Sequence, residues 1–317
     1  MRGLLLTLGW LLALALTALV GVRATGIERG TIIVLLIGAL PLTLLPAYAL
    51  LVAAVLRRRR ALGALSALLV GAHLIVLAPA LGASERPAGF EAAPRLRVVT
   101  ANLYVLNPDP QAAGRALRTL RPDVLVVPEL NAAGLAGLRA SGLLVDLPFS
   151  VVQLADRAET VGLFSRLPLD DVTLRSVGGR ALPRATITVG STRLRLLAEH
   201  PLPPISALEV LWRRSLGDLA RESQALTMPA VVAGDLNAGR DHALFRQLLD
   251  TGLRDAHDDR GRGTARTWPA ALPLLLLDHV LVKDGPGGRI VVLSVREVEL
   301  PGSDHLGVVA DLAVLAG

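Results

Sequence analysis

Asp235 and Asn237 stand two residues apart behind the apolar run 230–234, within the stretch VVAGDLNAGRD. In extended backbone, side chains two apart project to the same side. A plain turn accounts for the pair, because Asp and Asn favour turns and caps. Other residues of the same kind border other apolar runs. Asn102 follows RVVTA, Glu129 follows DVLVVP, Asp278 follows LLLL, and Asp304 and His305 precede LGVVADL. Each alone has an equally bland explanation. Together they suit one job, since strand ends deliver side chains rigidly to one edge of a sheet. Carboxylates with an amide oxygen make a hard site for Mg²⁺ or Mn²⁺. Such a metal polarises a phosphoryl oxygen and offsets developing negative charge. A histidine beside carboxylates handles protons or charge. A serine triad fits worse, because the sequence has no G-x-S-x-G elbow. The chain has no cysteine, which excludes disulfides, thiolate catalysis and cysteine-based zinc sites.

The elements that must position these residues are readable in outline. LRVVTANLYV, DVLVVPEL, TVGLFSR, AVVAGDLN, LLLLDHVLV, RIVVLSVREVEL and LGVVADLAV have strand composition. RATITVGSTRLRLLAEH alternates around Gly190-Ser191 and reads as a hairpin. Asp109-Pro110 places an N-cap and an N1 proline ahead of a helix through Thr119. Further helices are expected over Asn131 to Leu144, Ile205 to Leu226 and Asp241 to Leu249. Fully apolar strands need cover on both faces, so two sheets with helices outside are expected.

The first third of the chain is different. Mean hydropathy is +0.53 and 52% of residues are apolar, high for a protein without membrane segments. Leu4 to Val22, Gly30 to Leu56 and Ala61 to Ala83 carry no formal charge and are long enough to cross a bilayer. The first could instead be a cleaved signal peptide, but it lacks a clean small-x-small exit and two more spans follow, so a retained span is expected. Arg2 and the block Arg57 to Arg60 fall on one side of these spans; Arg23 and Arg29 fall on the other. A multi-pass cell-membrane protein is expected, with a cytoplasmic N-terminus and everything after Ala83 extracytoplasmic. His73 reads as a hydrogen-bonded polar residue inside the bundle. Three regions result: membrane helices over 1–83, a small, polar, proline-bearing linker over 84–94, and a domain over 95–317.

Residues 1–86 hold eight arginines and two acids, leaving 25 basic and 25 acidic residues in the remainder. The basic character therefore belongs to the membrane region and is no sign of a nucleic-acid groove.

TANLYV, PDVLVVPEL, TVGLFSR, AEHPLPP, VVAGDLNA, TWPA, LLDHVLV and GSDHLGVVADL occur in that order over roughly 95–315. This succession resembles the endonuclease/exonuclease/phosphatase family, the deoxyribonuclease I-like fold. GDLN alone is weak, whereas the ordered set is specific. The resemblance implies an α/β four-layered αββα sandwich and metal-dependent hydrolysis of phosphodiesters or phosphomonoesters. It implies Glu129 as main metal ligand with Asn102 beside it and Asp304 completing or neighbouring the site. Asp235 would orient or deprotonate the attacking water, and Asn237 would hold the phosphate or nucleophile. His305 would contact the phosphate, polarised by Asp278. His200 would assist the leaving group with Glu159 as partner. Where the family often has an aromatic phosphate contact, this chain has Arg157, which is either a bidentate phosphate contact or a solvated charge. Trp268 either lines the site or packs. His279 reads as structural, Ser303 as a turn support, and His242 and His257 as surface or loop residues. The substrate stays open among a lipid headgroup, a nucleic acid and a small phosphoester, with the bilayer as the other partner. A nuclease and a non-catalytic binding protein on the same fold are the alternatives.

Overall fold

Alternating apolar residues divide each central strand between two cores, and the fold follows from that. In the computed structural model, which describes residues 2–154, 160–177 and 180–317, β1 (Arg95–Thr100) and β2 (Val124–Leu130) run parallel at the centre of one sheet. Val98, Val124 and Val126 face the second sheet, while Val99, Leu125 and Val127 face outward. The outward set packs on α6 (Pro110–Thr119) and α7 (Ala132–Ala140). The Asp109 side chain caps α6 by accepting from Ala112 N at 2.8 Å. The Asn131 side chain caps α7 by accepting from Gly134 N at 2.7 Å. Gly142, left-handed at φ 78°, ends the expected helix early and starts the short α8 (Leu143–Asp146).

This sheet is completed by β3 (Phe149–Val151), β4 (Thr160–Ser165), β11 (Gly288–Val298) and β12 (Gly307–Ala316), in the order β11-β12-β1-β2-β4-β3. The second sheet has β5 (Asp170–Val177), β6 (Arg180–Val189), β7 (Thr192–Glu199), β8 (Ala230–Asp235), β9 (Arg254–Asp255) and β10 (Asp278–Lys283). Its order is β5-β6-β7-β8-β10-β9, with β7 and β8 parallel. Its outer face, including Leu197, Val232 and Leu281, packs on α9 (Glu209–Ala225) and α10 (Ala243–Leu249) through Trp212, Leu216, Phe245 and Leu248. Helices, sheet, sheet, helices: the four-layered sandwich is what the strand periodicity requires.

Among the described residues, two runs are apolar and helical enough to cross a membrane as single helices, α1 (Arg2–Thr25) and α5 (Arg60–Leu81). The middle run is not one straight helix. It forms α2 (Thr31–Gly38), α3 (Leu40–Thr43) and α4 (Pro46–Leu56), with an 84° bend that counts it as a third span only if both arms are taken together. Pro41 and Pro46 lack the amide hydrogens that a continuous helix needs there. His73 bonds the Tyr48 hydroxyl at 3.2 Å inside this bundle.

The helices are fastened to the sandwich by polar contacts. Arg23 pairs with Asp241 at 2.9 Å, Glu28 accepts from Ala243 N at 2.8 Å, and Gly30 N donates to Glu209 at 2.9 Å. At the end of α5, Ala80 O accepts from Gly263 N at 3.0 Å, and Ala83 bridges Arg260.

His257 is not the surface residue its loop-like sequence suggests. It is fully buried in α11 (Ala256–Asp259), between Asp255 and Glu297 at 3.2 Å each. His279 shares Asp255 at 2.6 Å, so the cluster ties the second sheet to β11 of the first. Burial alone would lower the His257 imidazole, but its hydrogen bonds to Asp255 and Glu297 outweigh burial and raise it to about 9. Because this value lies above the ordinary one near 6.5, the contribution is complete below about pH 6.5 and is lost as pH rises through 9. Asp255, held below the usual carboxylate range by these imidazoles despite its burial, contributes above its ordinary value. Thermal unfolding of the detergent-solubilised chain should show stability declining between about pH 6.5 and 9 by roughly 3 kcal/mol. His257→Gln should be less stable at pH 6 and show a flatter profile across that window.

Candidate active site

One edge of the sandwich collects the C-terminal ends of both parallel strand pairs. Asn102 lies just past β1, Glu129 near the end of β2, His200 one residue past β7, and Asp235 at the end of β8. The antiparallel neighbours begin at this edge: Asp278 opens β10, and Asp304 and His305 precede β12. Asp278 is the direct cross-strand partner of Asp235. Two carboxylates placed opposite each other repel, and His305 sits between them. Its Nδ1 bonds Asp278 Oδ2 at 2.8 Å, and its Nε2 lies 3.7 Å from Asp235 Oδ2. His200 Nε2 approaches the same Asp235 oxygen at 3.7 Å and Glu129 Oε1 at 4.0 Å.

Local backbone brings these groups inward. Glu129 is not at a simple strand end. The β2–β4 register shifts between Val127 and Leu130, around Pro128, and Glu129 takes φ 55°. Asn237 is also left-handed, at φ 48°. Such conformations cost free energy and persist where surroundings enforce them. Asn237 N donates to Asp235 Oδ1 at 2.8 Å, and its side chain donates to Pro201 O at 3.0 Å. Trp212 Nε1 holds the Asn237 carbonyl at 3.1 Å from α9. Gly234 lets β7 and β8 approach, since a Cβ there would lie 1.9 Å from the Glu199 carbonyl oxygen.

Asn102 bonds both sides of the cluster. Its Nδ2 donates to Glu129 Oε1 and Asp235 Oδ2, each at 3.0 Å, while its Oδ1 accepts from Tyr104 N at 3.0 Å. The Tyr104 N–H needs an acceptor, which fixes the amide orientation. In this arrangement Asn102 orients two carboxylates, and Tyr104 N–H takes one of the two lone pairs of its oxygen. Ser303 ties the loops together, donating to Asn102 O at 2.7 Å and accepting from His305 N at 3.0 Å.

Burial raises the Asp235 carboxyl to about 7, the Asp278 charge adding to it and His305 opposing it. Burial opposes the charged form of His305, yet Asp278 and Asp235 raise it to about 10. The site thus pairs a carboxylate poised near neutrality with a lasting imidazolium, two roles separated by environment.

The cluster opens into a cavity of about 300 Å³ lined by Glu129, His200, Asp235, Asn237, Asp304 and His305, with Trp268 on its wall. Trp268 also bonds Asp304 Oδ2 at 3.2 Å, so it both lines and packs. Asp304 Oδ1 and Asp278 Oδ1 are buried with no hydrogen-bond partner among the described residues. A bare buried carboxylate oxygen is costly. An oxygen donor on the cavity wall suits a divalent cation, and Glu129, His200 and Asp235 place ligand atoms close enough to share one. Arg157 and Glu159 lie outside the described residues. His279 points away, to Asp255 and Ala238 O.

His242, expected at the surface, is buried. Its Nδ1 accepts from Gly239 N at 2.9 Å, so Nε2 carries the proton and donates to Val34 O at 3.0 Å. Val34, Leu35 and Gly38 of α2 also line the cavity. Nothing in the periodicity of a membrane-type helix signals such a role.

Residues 99–305 match the sequence profile of the endonuclease/exonuclease/phosphatase family. The chain belongs to that family. Its members are typically hydrolytic phosphoesterases that use a divalent metal. No curated protein matches the chain by sequence. Among solved structures, TDP2 of D. rerio complexed with a single-strand DNA product is similar at 17% identity and TM-score 0.56, over 69% of this chain and 98% of that one. The endonuclease/exonuclease/phosphatase from Bacteroides vulgatus is 18% identical at TM-score 0.56, over 69% and 99%. The one from Beutenbergia cavernae DSM 12333 is 20% identical at TM-score 0.51, over 71% and 72%. At these identities the likeness shows the fold.

Substituting Gly234→Ala should lower stability by about 2 kcal/mol or more, because the methyl group meets backbone rather than a movable side chain. Thermal unfolding against wild type checks this; an unchanged melting temperature would contradict the close approach.

Proposed function

We propose that the chain is a divalent-metal-dependent phosphoester hydrolase held in the membrane by its N-terminal helices. The observation that carries this is Asp235, buried between two imidazoles, with His305 fixed by Asp278 on the opposite strand. A buried carboxyl raised to about 7, beside an imidazole fixed by a second carboxylate, supports proton handling at this position.

The residues divide the work. His305, charged at neutral pH, presents Nε2–H to a phosphate oxygen and stabilises its growing charge. Asp235 accepts a proton from water as the water oxygen bonds to phosphorus in line with the departing group. Asn237 steadies the phosphate or that water, and Asn102 keeps Glu129 and Asp235 apart and oriented. The ester P–O bond breaks, and the leaving oxygen takes its proton from His200. Glu129, with Asp304 completing or neighbouring the site, would hold a divalent cation, Mg²⁺ or Mn²⁺, which when bound would supply charge neutralisation at the phosphoryl group. Catalysis rests mainly on positioning and electrostatics. Glu159 remains the proposed partner of His200, and Arg157 and Trp268 proposed substrate contacts.

The topology belongs to the same proposal. Arg57 to Arg60 are exposed at the ends of α4 and α5 remote from the sandwich, whereas Arg23, Glu28 and Ala80 meet it. The arginine-rich end then faces the cytoplasm and the sandwich the other side.

Asp235→Asn should reduce kcat on a generic diester by about 10³-fold with unchanged melting temperature. Chelation should abolish wild-type turnover, and Glu129→Gln should raise the Mg²⁺ concentration needed to restore it. Turnover unaffected by both changes would overturn the metal-dependent reading of this site, and no turnover on any diester or monoester would favour the binding-protein alternative. An alkaline phosphatase reporter fused after Gly317 should be active in cells, and a fluorescent reporter requiring the cytoplasm should be dark; the reverse pattern overturns the orientation.

A further inference from the structure

The catalytic cavity is not walled by the sandwich alone. Its apolar side comes from Val34, Leu35 and Gly38 of α2, joined by Ile205, Leu275 and Leu277 of the sandwich. Its polar end is Asp235, Glu129 and the two imidazoles.

This wall is built into the protein rather than resting against it. The His242 tautomer is set by Gly239 N–H, and its Nε2–H then holds the Val34 carbonyl. A Cβ at Gly38 would lie 2.9 Å from the same ring, so the glycine permits this contact. Thr31 Oγ1 accepts from Ser206 N at 2.9 Å, and Gly30 N reaches Glu209, pinning the start of α2 to the segment that carries Ile205. Val34 itself joins the core formed by Trp212, Leu216 and Phe245.

The surroundings of the cavity are apolar as well. Because the helix breaks at Ala39, α2 turns away from the axis of α4 and exposes Ile32 (73%) and part of Leu35. On the sandwich, Leu272 (67%), Leu274 and Ile205 are exposed in the segments that carry the cavity wall. Apolar side chains exposed on two separate parts of the chain, around one cavity, mark a surface that meets lipid or an apolar ligand. A hydrophilic ester would leave the apolar wall of the cavity without a partner. An alkyl or prenyl chain would cover it while its phosphate reached Asp235 and His305.

We propose that the substrate is a phosphoester of a membrane amphiphile, seated with its phosphate at Asp235 and His305 and its apolar chain along α2. The inference rests on the hydrolase reading above. The neutral balance of residues 87–317, 25 basic against 25 acidic, fits a ligand with a single phosphate better than a polyanion.

The test uses the full chain in nanodiscs with Mg²⁺ or Mn²⁺. The membrane probes are dioleoylphosphatidylglycerol, dioleoylphosphatidylcholine, dioleoylphosphatidic acid and a polyprenyl monophosphate. The soluble probes are glycerophosphoglycerol, glycerophosphocholine, glycerol 3-phosphate and a single-stranded oligonucleotide. At least one membrane probe should exceed its soluble counterpart in kcat/KM by about 100-fold or more. Leu35→Gln on α2 and Ile205→Gln on the sandwich should each lower that ratio by about tenfold. Equal rates on both kinds of probe, a preference for the oligonucleotide, or a ratio indifferent to both variants overturns the inference and leaves the hydrolase reading standing. If folded protein turns over none of the probes, the hydrolase reading fails first and takes the inference with it.

Discussion

The opposition of Asp235 and Asp278 across β8 and β10 is the constraint around which the site is organised. Two buried carboxylates in register are unfavourable unless something cationic divides them. His305 does so, its side chain reaching from the loop before β12 of the first sheet to Asp278 of the second. Ser303 holds that loop in place by joining the Asn102 carbonyl to the His305 amide. The two sheets are thus tied at their catalytic edge by polar contacts and elsewhere by aliphatic packing. A second charged tie, Asp255 with His257 and His279 against Glu297, acts away from the cavity.

The same economy of contacts fastens the apolar helices. Among the described residues, the helical region meets the sandwich through a few buried polar pairs, with Val34 alone entering the apolar core above the second sheet. Such pairs specify geometry more than they stabilise it, because desolvation offsets much of their attraction. Their effect is to fix how α2 lies, and therefore what shape the cavity has.

Much of this was legible in the sequence. Alternation in 95–100 and 124–127 gives both cores, Asp109-Pro110 gives a helix start, and the polar residues bordering apolar runs give the edge where the site lies. The rest depended on partners remote in the chain. His242 and His257 look like loop residues until Val34, Asp255 and Glu297 are seen to bury and satisfy them. The Asn102 amide faces as it does because Tyr104 N–H claims its oxygen. Glu129 turns inward through a bulge that reads, in sequence, as an ordinary strand interrupted by proline. The bend between α2 and α4 is hinted at by Pro41 and Pro46, but its direction is decided by the docking of α2.

The hydrogen bond from His242 to Val34 has a geometric consequence. An enzyme on a loose tether samples a range of heights above its membrane and meets its surface by diffusion. Here α2 acts as a strut, and His242 is adjacent in sequence to Asp241, which holds Arg23 at the end of α1. Two helices are therefore registered to one loop. The cavity is held at a set position relative to both helices, as a gauge block sets a blade.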